Sequence, residues 1–157
     1  MPRLLQLALG AGALVLSSGC VAKARYMGLV DAGGGTVKLV ESSGQSYRLS
    51  TGEDAVLFAD LGGCSVMVEG PRRGRTVLVK DWVVTDAGDG SAPYVGKLVR
   101  EGMRWYVTDR QTGATFFLEE GSLGDLGQHA GRTVLVTGYV TGPNTVNVVR
   151  WRVLGPQ

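Results

Sequence analysis

The 157-residue chain contains one histidine, His129, and two cysteines, Cys20 and Cys64. Metal sites built on His and Cys need several ligands at short spacing, so this scarcity argues against a metal or a cofactor. An excess of one charge is missing as well: 16 Lys and Arg stand against 14 Asp and Glu. So balanced a chain casts no broad positive field, which argues against a nucleic-acid partner. The apolar stretch Leu4–Leu16, broken by Gln6, Gly10 and Gly12, falls short of the roughly 20 residues that span a bilayer. Catalytic arrangements are wanting too. No serine sits in a nucleophile elbow, and neither Gly33-Gly34-Gly35 nor Gly62-Gly63 is followed by a helix start that would cradle phosphate. The acid pairs Glu53-Asp54 and Glu119-Glu120 read as partners of helix N-termini. His129, in a glycine-rich segment, reads as a polar loop residue. These absences set the expectation of a protein that is not an enzyme.

What is present is a folded composition, 44% hydrophobic and 19% charged, with 25 glycines. Such a balance suits a globular chain of short strands and tight turns. At the N-terminus, Arg3 and the apolar stretch read as the n-region and h-region of a secretory signal peptide, Met1–Gly19. The junction Leu16-Ser17-Ser18-Gly19-Cys20 resembles the lipobox of bacterial lipoproteins, with Ser17 where that family carries Leu. The resemblance implies cleavage before Cys20, acylation of its thiol, and a membrane partner reached through that anchor. Val21 after the cysteine, rather than Asp, implies the periplasmic face of the outer membrane. Residues 20–25 then form a lipidated tether, with Lys23 and Arg25 beside the headgroups. An ordinary signal peptide cut nearby and an uncleaved anchor are the other readings. With Cys20 acylated, Cys64 is left without a partner, as a buried small hydrophobe on the strand face of Val66 and Val68. Without acylation, a Cys20–Cys64 disulfide is the rival.

The exported part is written twice. Tyr26-Met27-Gly28 recurs 68 positions later as Tyr94-Val95-Gly96, and Gly63–Gly70 recurs at the same offset as Gly131–Gly138. After one inserted residue the offset becomes 69, pairing Gly44, Tyr47, Leu49, Trp82 and Val84 with Gly113, Phe116, Leu118, Trp151 and Val153. One offset held across so many glycines and apolar positions indicates a duplication. The repeats span 26–84 and 94–157, joined by a linker at 85–93. Its aspartates lack the alternating ligands of a calcium loop.

Period-2 alternation predicts strands in the first copy at Tyr26–Val30, Thr36–Glu41, Ser46–Leu49, Ser65–Glu69 and Thr76–Val84, with turns at Gly33–Gly35, Ser42–Gly44 and Pro71–Gly74. A helix capped by Thr51 is expected over Thr51–Asp60, and a poorer one over Ser122–His129. Three strands, a helix and two strands resemble the OB-fold, a five-stranded Greek-key barrel. The phrases Tyr47-Arg48-Leu49 and Phe116-Phe117-Leu118, each followed by Gly-x-x-Val-x-Val-x-Gly, resemble small exported bacterial domains of that kind. The fold expected is all-β with one short helix per repeat, as two tandem OB-like barrels; one joint sandwich is the alternative architecture.

In OB-folds ligands lie across strands two and three and the loops beside them. The loop between strands four and five carries Arg72, Arg73 and Arg75 in the first copy and Thr141-Gly142-Pro143-Asn144 in the second. Those guanidiniums suit phosphate or carboxylate groups, lipid headgroups included. Tyr47, Trp105, Tyr106, Phe116 and Phe117 offer rings for stacking, though alternation turns at least half of them inward. Trp82 and Trp151 read as core. The expectation is a non-enzymatic envelope lipoprotein that binds a protein or a small anionic ligand. A periplasmic enzyme or enzyme subunit with an unrecognised site, and an oligonucleotide-binding protein, are the competing readings.

Overall fold

The computed structural model describes residues 23–119, 121 and 123–156. The expected signal peptide, Cys20, Glu120 and Ser122 lie outside the described residues. The first half folds into β1 (Arg25–Asp31), β2 (Lys38–Val40), β3 (Ser46–Ser50), the helix α1 (Ala55–Ala59), β4 (Ser65–Glu69), β5 (Arg72–Arg73), β6 (Thr76–Leu78) and β7 (Asp81–Asp86). The second half contributes β8 (Ala92–Glu101), β9 (Arg104–Asp109), β10 (Thr115–Leu118), β11 (Thr133–Gly142) and β12 (Thr145–Leu154). The chain is therefore mostly β. No helix among the described residues is long and apolar enough to cross a membrane.

Two hydrogen-bonded systems result. The first half is a seven-stranded sheet in the order β5-β6-β3-β2-β1-β4-β7, and the second is a closed barrel in the order β10-β12-β11-β8-β9. Alternation explains both: Tyr47 and Leu49 in β3, and Val66 and Val68 in β4, point inward while their neighbours do not. One buried cluster gathers Leu39, Phe58, Leu61, Cys64, Val66 and Val68, and it takes in Val95, Leu135 and Leu154 from the second half. The barrel keeps a cluster of its own around Leu98, Val107, Leu118, Leu126, Val134 and Val136. Each such aliphatic side chain contributes about 1.5–3 kcal/mol when fully buried. The two halves are thus joined by apolar packing as well as by the chain.

Several contacts occur twice at the sequence offset. The Gly63 amide donates to the Val30 carbonyl at 2.9 Å, and Gly131 donates to Leu98 at 2.7 Å. Both glycines stand at φ +82°, where a side chain is strained. A Cβ on Gly28 would meet the Val40 carbonyl oxygen at 2.3 Å, and one on Gly96 the Thr108 oxygen at 1.8 Å. Only glycine lets the backbones approach so closely. Inside, Tyr26 packs on Tyr47 at 5.2 Å between ring centroids, and Tyr94 on Phe116 at 4.6 Å.

Four details differ from the sequence reading. The strand expected over Thr76–Val84 is divided into β6 and β7. At the break, Val79 donates to the Ser50 carbonyl while Lys80 donates to Glu69, so the chain changes partner strand. The Pro71–Gly74 turn contains β5, paired antiparallel with β6. Thr51 caps no helix with its side chain. The first turn is 3-10, closed by the Asp54 amide on the Thr51 carbonyl, and only Ala55–Ala59 is α-helical. The second expected helix is a 3-10 segment, Gly124–His129, because Gly124 stands at φ +51° and Gly127 lies against the Trp105 ring.

The connection between the halves is short. Thr85 and Asp86 continue β7, and Ala92 and Pro93 open β8. Between them Asp89 is held firmly: one carboxylate oxygen accepts from the Ser91 amide and hydroxyl, and the other from the Thr137 hydroxyl at 2.7 Å. These hydrogen bonds, with Arg150 nearby, lower its pKa to about 2.

Candidate functional site

Arg72 and Arg73 form β5, and Arg75 follows in the turn to β6. Register then decides which cations share a face. Lys38 in β2 pairs with Arg48 in β3, Arg48 pairs with Thr76 in β6, and Thr76 pairs with Arg73 in β5. Directly paired residues project to the same side of a sheet. Lys38, Arg48 and Arg73 therefore form one row on the outer face, about 14 Å from end to end at the usual strand spacing. Arg75 lies beside it, exposed in the turn before β6, its carbonyl accepting the Arg48 amide at 2.8 Å.

Arg72 does something else. It pairs with the buried Val77 and so faces the opposite way, its guanidinium 5.7 Å from the centroid of the Tyr47 ring. The contiguous arginines thus divide between the row and a cation–π contact at the edge of the sheet. The row's other members, Lys38 and Arg48, were missed from the sequence. The available signal was their place at outward positions of predicted strands, beside Leu39, Tyr47 and Leu49.

The five cations are all exposed, and none forms an ion pair among the described residues. Asp31 pairs with Lys38 across β1 and β2, but one of its oxygens accepts the Gly33 amide instead. Unopposed like charges in a row repel one another, at a modest cost in solvent. Such an arrangement is chemically suited to an anionic partner. Arginine's planar fork can take phosphate or carboxylate through two parallel hydrogen bonds.

The same row exists in the second half with different chemistry. Val99, Tyr106, Phe117 and Thr145 are paired in register across β8, β9, β10 and β12. Tyr106 and Phe117 stand 5.8 Å apart as a tilted pair, and the Arg104 guanidinium lies 5.9 Å from the Phe117 centroid. Of the other rings, Tyr47 is buried, while Trp105 and Phe116 pack against the barrel core.

The remaining expected positions have structural partners. Asp54 is more than a dipole partner: it accepts the Trp82 indole N–H at 2.6 Å and an Arg110 guanidinium N–H at 3.3 Å. Glu119 accepts from Thr141 and Asn147, ties β10 to the β11–β12 hairpin, and has its pKa lowered by those two hydrogen bonds. Cys64 is a buried free thiol whose pKa is raised by desolvation. Trp82 is core, 3% exposed, under α1 with Phe58. Trp151 is not: it is 36% exposed, with His129 of the 3-10 segment against it at 5.3 Å between centroids. No group of three or more His, Cys, Asp or Glu among the described residues could hold a metal. The chain matches no protein-family model and no curated protein by sequence.

Proposed function

We propose that the protein is a non-enzymatic binding module of the bacterial envelope, lipid-anchored at Cys20, which holds an extended anionic partner along Lys38, Arg48, Arg73 and Arg75. The observation that carries this reading is the unpaired cation row, aligned by strand register on one exposed face. Surface cations that serve stability alone are generally ion-paired with carboxylates; of these only Lys38 faces one, Asp31 across β1, and none of them makes an ion pair among the described residues. The partner is one that offers several phosphates or carboxylates in an extended array, a protein with an acidic strip included.

The finer architecture belongs to the same proposal. We read the chain as two tandem OB-like barrels, the first closed through chain continuity. In support, β6 runs parallel to β3 and β7 antiparallel to β4, as the two ends of β12 do with β10 and β11. The cation row then occupies strands two and three and the loop after strand four, the surface where OB-folds take ligands.

The anchor is tested by mass spectrometry of membranes from the native host: the mature chain should begin at an acylated Cys20, and Cys20→Ser should release it. The binding role is tested with a sulfated polysaccharide column as polyanionic probe. The native chain should elute at higher salt than a Lys38→Gln, Arg48→Gln, Arg73→Gln variant, and a Tyr106→Ala, Phe117→Ala variant should elute with the native chain. Equal elution of native and triple variant would sink the proposal.

A further inference from the structure

The outer surfaces of β4–β7 and β11–β12 carry the same hollow twice, with opposite charge. In the first half it is lined by Met67, Glu69, Asp81, Trp82 and Val83, in about 310 Å³. In the second, the positions 68 or 69 residues later are Leu135, Thr137, Arg150, Trp151 and Arg152, in about 200 Å³. Glu69 has become Thr137, Asp81 has become Arg150, and Val83 has become Arg152. Ala87 and Asp89 of the connection complete the second hollow.

The first hollow has a cation of its own set against its carboxylates: Arg25 pairs with Glu69 at 2.6 Å. In the second, the single carboxylate, Asp89, has both oxygens engaged by Ser91 and Thr137. Arg150 is 3.9 Å from that carboxylate, and its side chain is 66% exposed. Arg152 donates to the backbone carbonyls of Asp60 and Gly62, which are neutral, so its charge has no counter-ion there. Two guanidiniums against one engaged carboxylate leave the hollow positive. Leu135 and Ala87 supply apolar wall.

We propose that this second hollow binds a small organic acid, its carboxylate or phosphate on Arg150 with Arg152 behind, its apolar body against Leu135 and Ala87. The volume lies below the roughly 300–1,000 Å³ of sites for drug-sized ligands, which restricts the occupant to small acids and excludes a polymer. The site is separate from the cation row, shares no residue with it and takes a different class of ligand.

The test is calorimetric titration of the full chain in detergent solution with benzoate, inorganic phosphate and benzylamine. Benzoate should bind saturably, more tightly than phosphate, and benzylamine should not bind. Arg150→Gln should weaken benzoate roughly tenfold or more with thermal unfolding unchanged. Asp81→Asn in the first hollow, and the triple row variant, should leave benzoate binding as it is. The proposal is overturned if benzoate fails to saturate by about 10 mM. Binding that survives Arg150→Gln overturns it, and so does binding lost with the row variant. Phosphate equal to benzoate would remove the apolar wall from the account.

Discussion

The inside and the outside of the two halves have diverged at different rates, and the paired positions show why. Inward pairs keep their character: Leu39 with Val107, Tyr47 with Phe116, Leu49 with Leu118, Val66 with Val134, Val68 with Val136. Outward pairs do not: Lys38 stands against Tyr106, Arg48 against Phe117, Arg73 against Gly142. A close-packed interior penalises any change of volume, whereas an exposed strand face penalises little. Duplication has therefore produced two scaffolds of one design with unlike surfaces, one cationic and one aromatic. The hollows beside them differ in the same manner, charge inverted on a retained backbone.

The severest way to strain that comparison is at the retained glycines. Gly96→Ala would place a methyl 1.8 Å from the Thr108 carbonyl oxygen, and Gly28→Ala 2.3 Å from that of Val40. Neither neighbour is a flexible side-chain end, so both substitutions should cost about 3 kcal/mol or more, the upper part of the overpacking range or beyond. Gly96→Ala should be the worse. Urea unfolding reads both, and a cost under about 1 kcal/mol at either position would mean the close approach is not needed.

Next in size is the shared core. Leu154 belongs to β12 yet is buried in the first half's cluster, 2% exposed. Leu154→Ala should cost about 2–5 kcal/mol and lower both halves together, in one cooperative transition. Two separated transitions would show that the halves are independent.

Arg110→Ala comes below that. The half-exposed pair with Asp54 and the stack over Trp82 together contribute about 1 kcal/mol. The sharper readout is acrylamide quenching. Trp82, uncovered, should become accessible in the way that Trp151 already is, and unchanged quenching would deny Arg110 its covering role.

Much of this was legible in the chain, for a definite reason. A sheet's inward positions repeat every second residue, so alternation reveals Val66, Val68, Val134 and Val136, and the fixed offset reveals matched glycines. Partnership across strands is another matter. Arg72, Arg73 and Arg75 are conspicuous because they are nearly contiguous. Lys38 and Arg48 join Arg73 only through the parallel pairing of β3 with β6, which no local pattern encodes. The same parallel pairing divides the fifth strand at Val79–Lys80. Local pattern also misled where tertiary partners won: Thr51 as a cap and Trp151 as core both depend on what lies across the fold.

The smallest effect concerns the joint between the halves. Asp89 has a folded pKa of about 2, below the ordinary 3.8, owing first to the Ser91 hydrogen bonds and then to Thr137. A lowered carboxylate pKa stabilises the fold where the unfolded group would also be ionised, above about pH 4, and that contribution is lost as pH falls through 2. The native chain should therefore lose stability between pH 4 and 2 through this residue. Asp89→Asn removes the titration and keeps one acceptor oxygen for Ser91, while its amide nitrogen, facing Thr137, can only donate to that hydroxyl. Its stability against pH should run flatter over that interval, with a small deficit at neutral pH. Parallel curves for the two proteins would mean that Asp89 fastens β11 by hydrogen bonds alone, its charge adding nothing to the joint.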